Sequence, residues 1–404
     1  MSSQTKQSRV RKRRVFYIPG YDPIHPRRYR ELYRKESAVQ AKLSGFEISV
    51  SAKSGEGPYG WHVRSEQDGA QVQSDVEVLV WSDIVRESMS NSILATYLQL
   101  AQTAWVYIST GTLWRLMRLR KGPVIAALYP VAMLLFQLFL AFGAAWALTA
   151  ILMPVASWFA ILPSALTGYG LLRWFRKADN KLFAYYLMHD YAYSASEKGV
   201  TPDALETRLS EFSTLIAEAL KTDVDEILVV GHSSGAHLGV SVLAQVLRST
   251  DRPAIGPELS FLTLGQVVPM VSFLPDAHCL RSDLRYLSQR DDLTWLDVSA
   301  PGDGCSFALC DPVAVSGVGT DKSKWPLVLS AAFTQTLSAE RWKELRWRFF
   351  RLHFQYLCAF DRVGTYDYFR ITAGPMTLAQ RYEGRAPSKS RIDAPVSKFR
   401  SVQA

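Results

Sequence analysis

Apolar and polar positions follow three different rhythms along the chain. Near the N-terminus, residues 15–18 form a short continuous apolar run, as in a strand covered on both faces, whereas residues 46–51 and 76–81 alternate or nearly so. After residue 225 the short runs return. Residues 227–230 are wholly apolar and partly β-branched, and 261–264 and 293–298 read as two further strands. Longer stretches lie between them with helical character: 92–120, 183–194, a helix opened by Thr201 and Pro202 and running to Leu220, and 234–247. Strand and helix in alternation predict an α/β fold, a mainly parallel sheet flanked by helices.

The middle of the chain breaks this rhythm. From Gly122 to Leu172 there is no Asp, Glu, Lys, Arg or His, and the run is bounded by Arg118, Arg120 and Lys121 on one side and by Arg173, Arg176 and Lys177 on the other. A crossing of roughly 30 Å of hydrocarbon takes about 20 apolar residues. The run therefore predicts a two-helix transmembrane hairpin, with crossings near 124–148 and 151–172 and Pro154 and Pro163 at the turn or kink. Two basic flanks place both ends on the cytoplasmic side. The expected organisation is a basic flexible tail (1–14), the first part of the main domain (15–120), the hairpin (121–174), the second part (175–380) and a second flexible basic tail (381–404). The expected partner is the lipid bilayer, and the expected localisation is integral membrane with the main domain on the cytoplasmic face.

Charge and cysteine content narrow the classes. The net charge is +9, and Lys6, Arg9, Arg11, Lys12, Arg13 and Arg14 precede the first predicted strand without an intervening acid. Such a cluster favours an anionic surface, but no nucleic-acid motif with interleaved aromatics follows, so nucleic acid is not an expected partner. Cys279, Cys305, Cys310 and Cys358 have neither disulfide-framework nor zinc spacing. No metal or other cofactor is expected. The first apolar stretch is too short for the core of a signal peptide.

Chemistry concentrates at Gly231-His232-Ser233-Ser234-Gly235. A buried strand ends there, a helix begins, and a serine stands at the turn. In such an elbow the two glycines relieve crowding between strand and helix while the hydroxyl stands clear of the sheet, and the helix N-terminus favours negative charge nearby.

On these residues the chain resembles the α/β-hydrolases, in particular lipases and esterases, in which His commonly precedes the nucleophile. The resemblance implies Ser233 as nucleophile, followed in chain order by an acid and a histidine. His353 is the single histidine beyond the candidate acids, which makes it the implied base. Asp297, Asp303 and Asp311 compete as the acid. Asp303, in the loop Ala300-Pro-Gly-Asp-Gly304 after a late strand, occupies the family's usual place. An oxyanion hole would combine the backbone N–H of Ser234 with one from Gly20 or Tyr21, in the loop after residues 15–18, where Pro19-Gly20 replaces the family's His-Gly pair. The implied activity is hydrolysis of carboxylic esters through an acyl-enzyme, and location beside a bilayer suggests a lipid substrate. The alternative is a catalytically silent membrane scaffold on the same fold, binding lipid or a protein partner.

Overall fold

Eight strands form one sheet in the computed structural model, which describes residues 9–55, 57–89, 92–249 and 256–403. They are β1 (Lys12–Ile18), β2 (Glu47–Ala52), β3 (Gly60–Gln67), β4 (Ala70–Val78), β5 (Glu226–His232), β6 (Glu258–Leu264), β7 (Thr294–Ser299) and β8 (Leu327–Ser330), in the spatial order β2-β3-β4-β1-β5-β6-β7-β8. β4, β1 and β5 to β8 run parallel, and β2 and β3 form an antiparallel edge. The architecture is α/β with a mostly parallel sheet flanked by helices.

Burial explains the apolar runs. All seven residues of β5 are buried, because helices cover both faces. On one face Ile227 and Val229 join Phe16, Ile18 and Phe261 against helices Asp203–Ala219, Gly235–Ser249 and His278–Ser288. On the other, Leu228 and Val230 join Val15 and Tyr17 against helix Arg27–Ser44 and the segment around Tyr356, Tyr368 and Phe369. The carboxyl ends of β1, β5, β6 and β7 lead into neighbouring loops, the usual place for a site on an open parallel sheet.

Several boundaries differ from the expectation. The first strand begins at Lys12, so residues 12–14 are not a tail. Arg13 is fully buried, its Nε 2.5 Å from Glu226 Oε2 and its other nitrogens donating to the carbonyls of Gly374 and Met376. Arg14 pairs with Glu77 at 2.7 Å. Residues 1–8, including Lys6, lie outside the described residues. The C-terminal segment is likewise held on the body rather than free. Ile392 bridges Cys310, the Ser388 N–H donates to the Val328 carbonyl while its Oγ accepts from the Ser330 N–H, and the Ser401 carbonyl accepts from the buried Arg281. Thr201 was expected to cap the next helix, but Pro202 holds that position without a side-chain bond.

The uncharged run is helical throughout. Helix Lys121–Ala156 is followed by a 3-10 turn, Ser157–Ala160, and helix Ile161–Lys177 lies back along it, with Gly168 closest to Ala141 and Ala145. The turn therefore falls between Pro154 and Pro163, the two prolines expected at the turn or kink. A 36-residue helix is about 54 Å long, well beyond a bilayer core. Its first half is partly sheathed by protein, with Val124, Pro130, Leu134 and Gln137 buried, while Phe139, Phe142, Trp146 and Ile151 farther along are exposed. Residues 121–177 are long and apolar enough to cross a membrane, and only 28% of the most apolar window is buried, unlike a core helix.

Candidate active site

Ser233 has φ +56°, an unusual backbone for serine, at the junction between β5 and helix Gly235–Ser249. The neighbouring glycines are needed for space. A Cβ on Gly231 would lie 2.5 Å from the Gly235 carbonyl oxygen, and one on Gly235 would collide with the Ile18 carbonyl oxygen. The turn is held from the sheet side by Ser233 N–H donating to the Leu264 carbonyl at 2.9 Å.

His353 ends helix Phe349–His353 and lines the same cavity as Ser233. Its Nδ1 lies 2.7 Å from Asp303 Oδ2, which fixes the ring, while its Nε2 is buried without a partner among the described residues. Asp303 also receives the Tyr356 hydroxyl at 3.0 Å and the Cys305 N–H at 2.9 Å. Burial favours the neutral acid, but the His353 pairing and the Cys305 N–H outweigh it and lower the Asp303 pKa. Of the three candidate acids, only Asp303 meets His353. Asp297 is inside β7, where Thr263 donates to it, and burial pushes its pKa up to about 7. Asp311 caps helix Pro312–Val315 by accepting from the N–H groups of Val313 and Ala314.

His232 stacks beside His353 with ring centroids 4.7 Å apart. Burial, then the adjacent His353, lowers its pKa to about 3, so the ring is neutral and Nε2–H donates to the His353 carbonyl at 3.0 Å. His232 is thus a brace for the segment carrying His353.

Gly20 lies directly against the serine: a Cβ there would be 2.9 Å from Ser233 Cβ. The loop is tied down by Trp81 Nε1–H donating to the Pro19 carbonyl and the Tyr186 hydroxyl donating to the Tyr21 carbonyl. Gly20, Tyr21 and Ser234 line the cavity beside Ser233, so all three expected oxyanion residues are gathered at one place.

The cavity is about 410 Å³ and mainly apolar. Pro123, near the start of the long apolar helix, forms part of its wall together with Phe183, Tyr186 and Phe350. Gly122 packs tightly on Gly304, in the loop that carries Asp303. A second, almost wholly apolar cavity of about 130 Å³ adjoins it, sharing Tyr191 and Met270 and walled by Leu100, Val124 and Val131.

Asp303, Cys305 and His353 also bring potential metal-donor atoms within 4.8 Å of one another. The carboxylate and imidazole are already joined by hydrogen bonding, and burial followed by the charges of Asp303 and Asp190 raises the Cys305 pKa, keeping a thiol where a metal would take a thiolate. These residues suit a hydrogen-bonded relay better than a metal centre.

Sequence reasoning overlooked Tyr356 and Asp190. Tyr356 follows His353 by three residues, a spacing that returns a side chain to the same side of a helical turn. Asp190 is the lone acid within the aromatic helix Ala184–Ala195, a detectable anomaly, and it too lines the Ser233 cavity. No protein-family model matches this chain, and neither does any curated protein or solved structure.

Proposed function

We propose that this protein is a membrane-anchored serine hydrolase of the α/β-hydrolase type that cleaves carboxylic esters of lipids. The observation that carries the reading is Ser233, held at φ +56° on a strand-to-helix elbow and sharing a cavity with an Asp303–His353 pair whose second imidazole nitrogen has no partner among the described residues. In the reaction His353 Nε2 takes the Ser233 proton as Oγ attacks the ester carbonyl. Asp303 keeps the Nδ1 proton in place and stabilises the imidazolium. The N–H of Ser234, with that of Gly20 or Tyr21, receives the developing oxyanion. His353 then protonates the leaving alcohol, and water, activated by the same imidazole, releases the acid.

The lipid part of the reading is supported by location and lining. The long apolar segment begins in the wall of the cavity, and the adjoining apolar cavity offers room for hydrocarbon. Both ends of the segment join the same folded body, in keeping with basic flanks on one, cytoplasmic, face of a bilayer.

Covalent labelling by a fluorophosphonate tests the reading. Wild-type protein in native membranes should label, and Ser233→Ala and His353→Ala should each abolish it. A folded wild-type protein that does not label would favour the silent scaffold.

A further inference from the structure

Two acidic side chains in the cavity wall, Asp22 and Asp190, have no part in the relay above; Asp22 is taken up by Arg28 and the Tyr29 hydroxyl, which leaves Asp190 to be explained. It has no hydrogen-bond or ion-pair partner among the described residues, although it faces both the Ser233 cavity and a small recess behind Ser234. The cavity's cationic wall residue, Arg28, is engaged elsewhere, 3.2 Å from Asp22 and stacked over Phe354 at 4.5 Å. An unpaired carboxylate among apolar groups is costly and calls for a partner. Burial raises its pKa to about 7, against a smaller opposing influence of His353, so a bound cation would readily hold it ionised near neutrality.

The surroundings define the kind of cation. Tyr21, Tyr186 and Tyr191 line the cavity with Asp190, and Tyr186 stands 6.2 Å from Tyr21, 6.2 Å from Phe183 and 5.9 Å from Phe350, measured between ring centroids. The hydroxyls of Tyr21 and Tyr186 are occupied by Ser88 and by the Tyr21 carbonyl, so neither is left over to coordinate a guest. A hard metal ion needs several oxygen ligands, which one carboxylate does not supply. Aromatic rings beside a single negative charge suit an organic ammonium.

We propose that this wall is a recognition subsite for an alkylammonium group on the substrate, with Asp190 as its counter-charge and Tyr21, Tyr186 and Tyr191 as its aromatic lining. The proposal rests on Ser233 acting as an esterase nucleophile. It makes the enzyme selective for esters whose alcohol or acyl portion carries a cationic amine close to the scissile bond.

The test compares 2-(trimethylammonio)ethyl butyrate with its uncharged isostere, 3,3-dimethylbutyl butyrate, on the full-length protein in maltoside micelles. Wild type should favour the cationic ester in kcat/KM by about thirtyfold, the scale of a desolvated cation–π contact. Asp190→Asn should bring the ratio near one, and Asp190→Glu should restore part of it. In wild type alone, choline should slow fluorophosphonate labelling and 3,3-dimethylbutanol should not, a readout that needs no folded variant. A wild-type ratio near one, a ratio preserved in Asp190→Asn, or an equal loss on both esters overturns the subsite. Labelling without hydrolysis of the cationic ester overturns the subsite and leaves the hydrolase reading standing. Absence of labelling removes both.

Discussion

Two buried aspartates, six residues apart, hold their protons with opposite strength. Asp303 has His353, Tyr356 and a backbone N–H around its carboxylate, and the His353 pairing with that N–H outweighs burial to lower its pKa. Asp297 has Thr263 on one oxygen and no hydrogen-bond partner among the described residues on the other, so burial prevails and the pKa rises to about 7. The folded protein therefore binds the Asp297 proton more tightly than the unfolded chain does. Its contribution to stability is fully present below the unfolded pKa near 4 and is lost as pH rises toward 7, at up to about 1.4 kcal/mol per pH unit. Asp190 and Asp311 are shifted in the same direction, so the informative quantity is the difference between proteins. Asp297→Asn should flatten the decline in unfolding free energy between pH 4.5 and 7.5 relative to wild type, measured by denaturant titration at each pH. Parallel curves would mean that Asp297 does not titrate in that window.

At the scale of elements, the elbow depends on close contact between three backbones. Gly235 leaves no room for a side chain beneath the Ile18 and Pro19 carbonyls, so Gly235→Ala must push the helix away from β1. The expected cost is about 3 kcal/mol, the upper range for overpacking, and it should be read as a lower thermal midpoint together with loss of fluorophosphonate labelling. Retained labelling at an unchanged midpoint would show that strand and helix are not so tightly joined. This elbow was legible in the sequence because its determinants are local: an apolar strand, two glycines and an amphipathic helix within a short stretch. β3 and β8 were not. β3 carries His62, Arg64 and Glu66 among its apolar positions, and β8 is only four residues long. The buried role of Arg13 was invisible for a different reason. Its partner, Glu226, is 213 residues away, and a run of basic residues read by itself suggests solvent. Asp303 and His353 could be proposed from chain order, but their 2.7 Å approach depends on how β7 and the late helix are brought together.

Across the whole molecule, the exposed apolar surface is concentrated on one structure. Phe139, Phe142, Trp146, Ile151, Trp158, Phe159 and Leu162 are all exposed on or between the two long apolar helices, with Leu94, Leu98 and Trp105 also exposed on helix Ile93–Ser109. An uncovered apolar area of this kind marks an interaction surface, here read as one facing lipid. Native membranes washed with alkaline carbonate should retain the protein in the pellet, and detergent should release it. Release by carbonate alone would mean that the apolar helices are not inserted.

The position of those helices along the chain also orders its birth. β1 is hydrogen-bonded to β5 at the centre of the sheet, yet the whole segment 121–177 is synthesised between them. While the ribosome makes that segment, β1 can already meet β4 but its other edge has no neighbour. An open strand edge beside unburied apolar side chains is prone to pair with the wrong chain. If the segment enters a membrane as proposed, prompt delivery protects more than the segment: it shortens the time during which the half-built sheet stands open to aggregation.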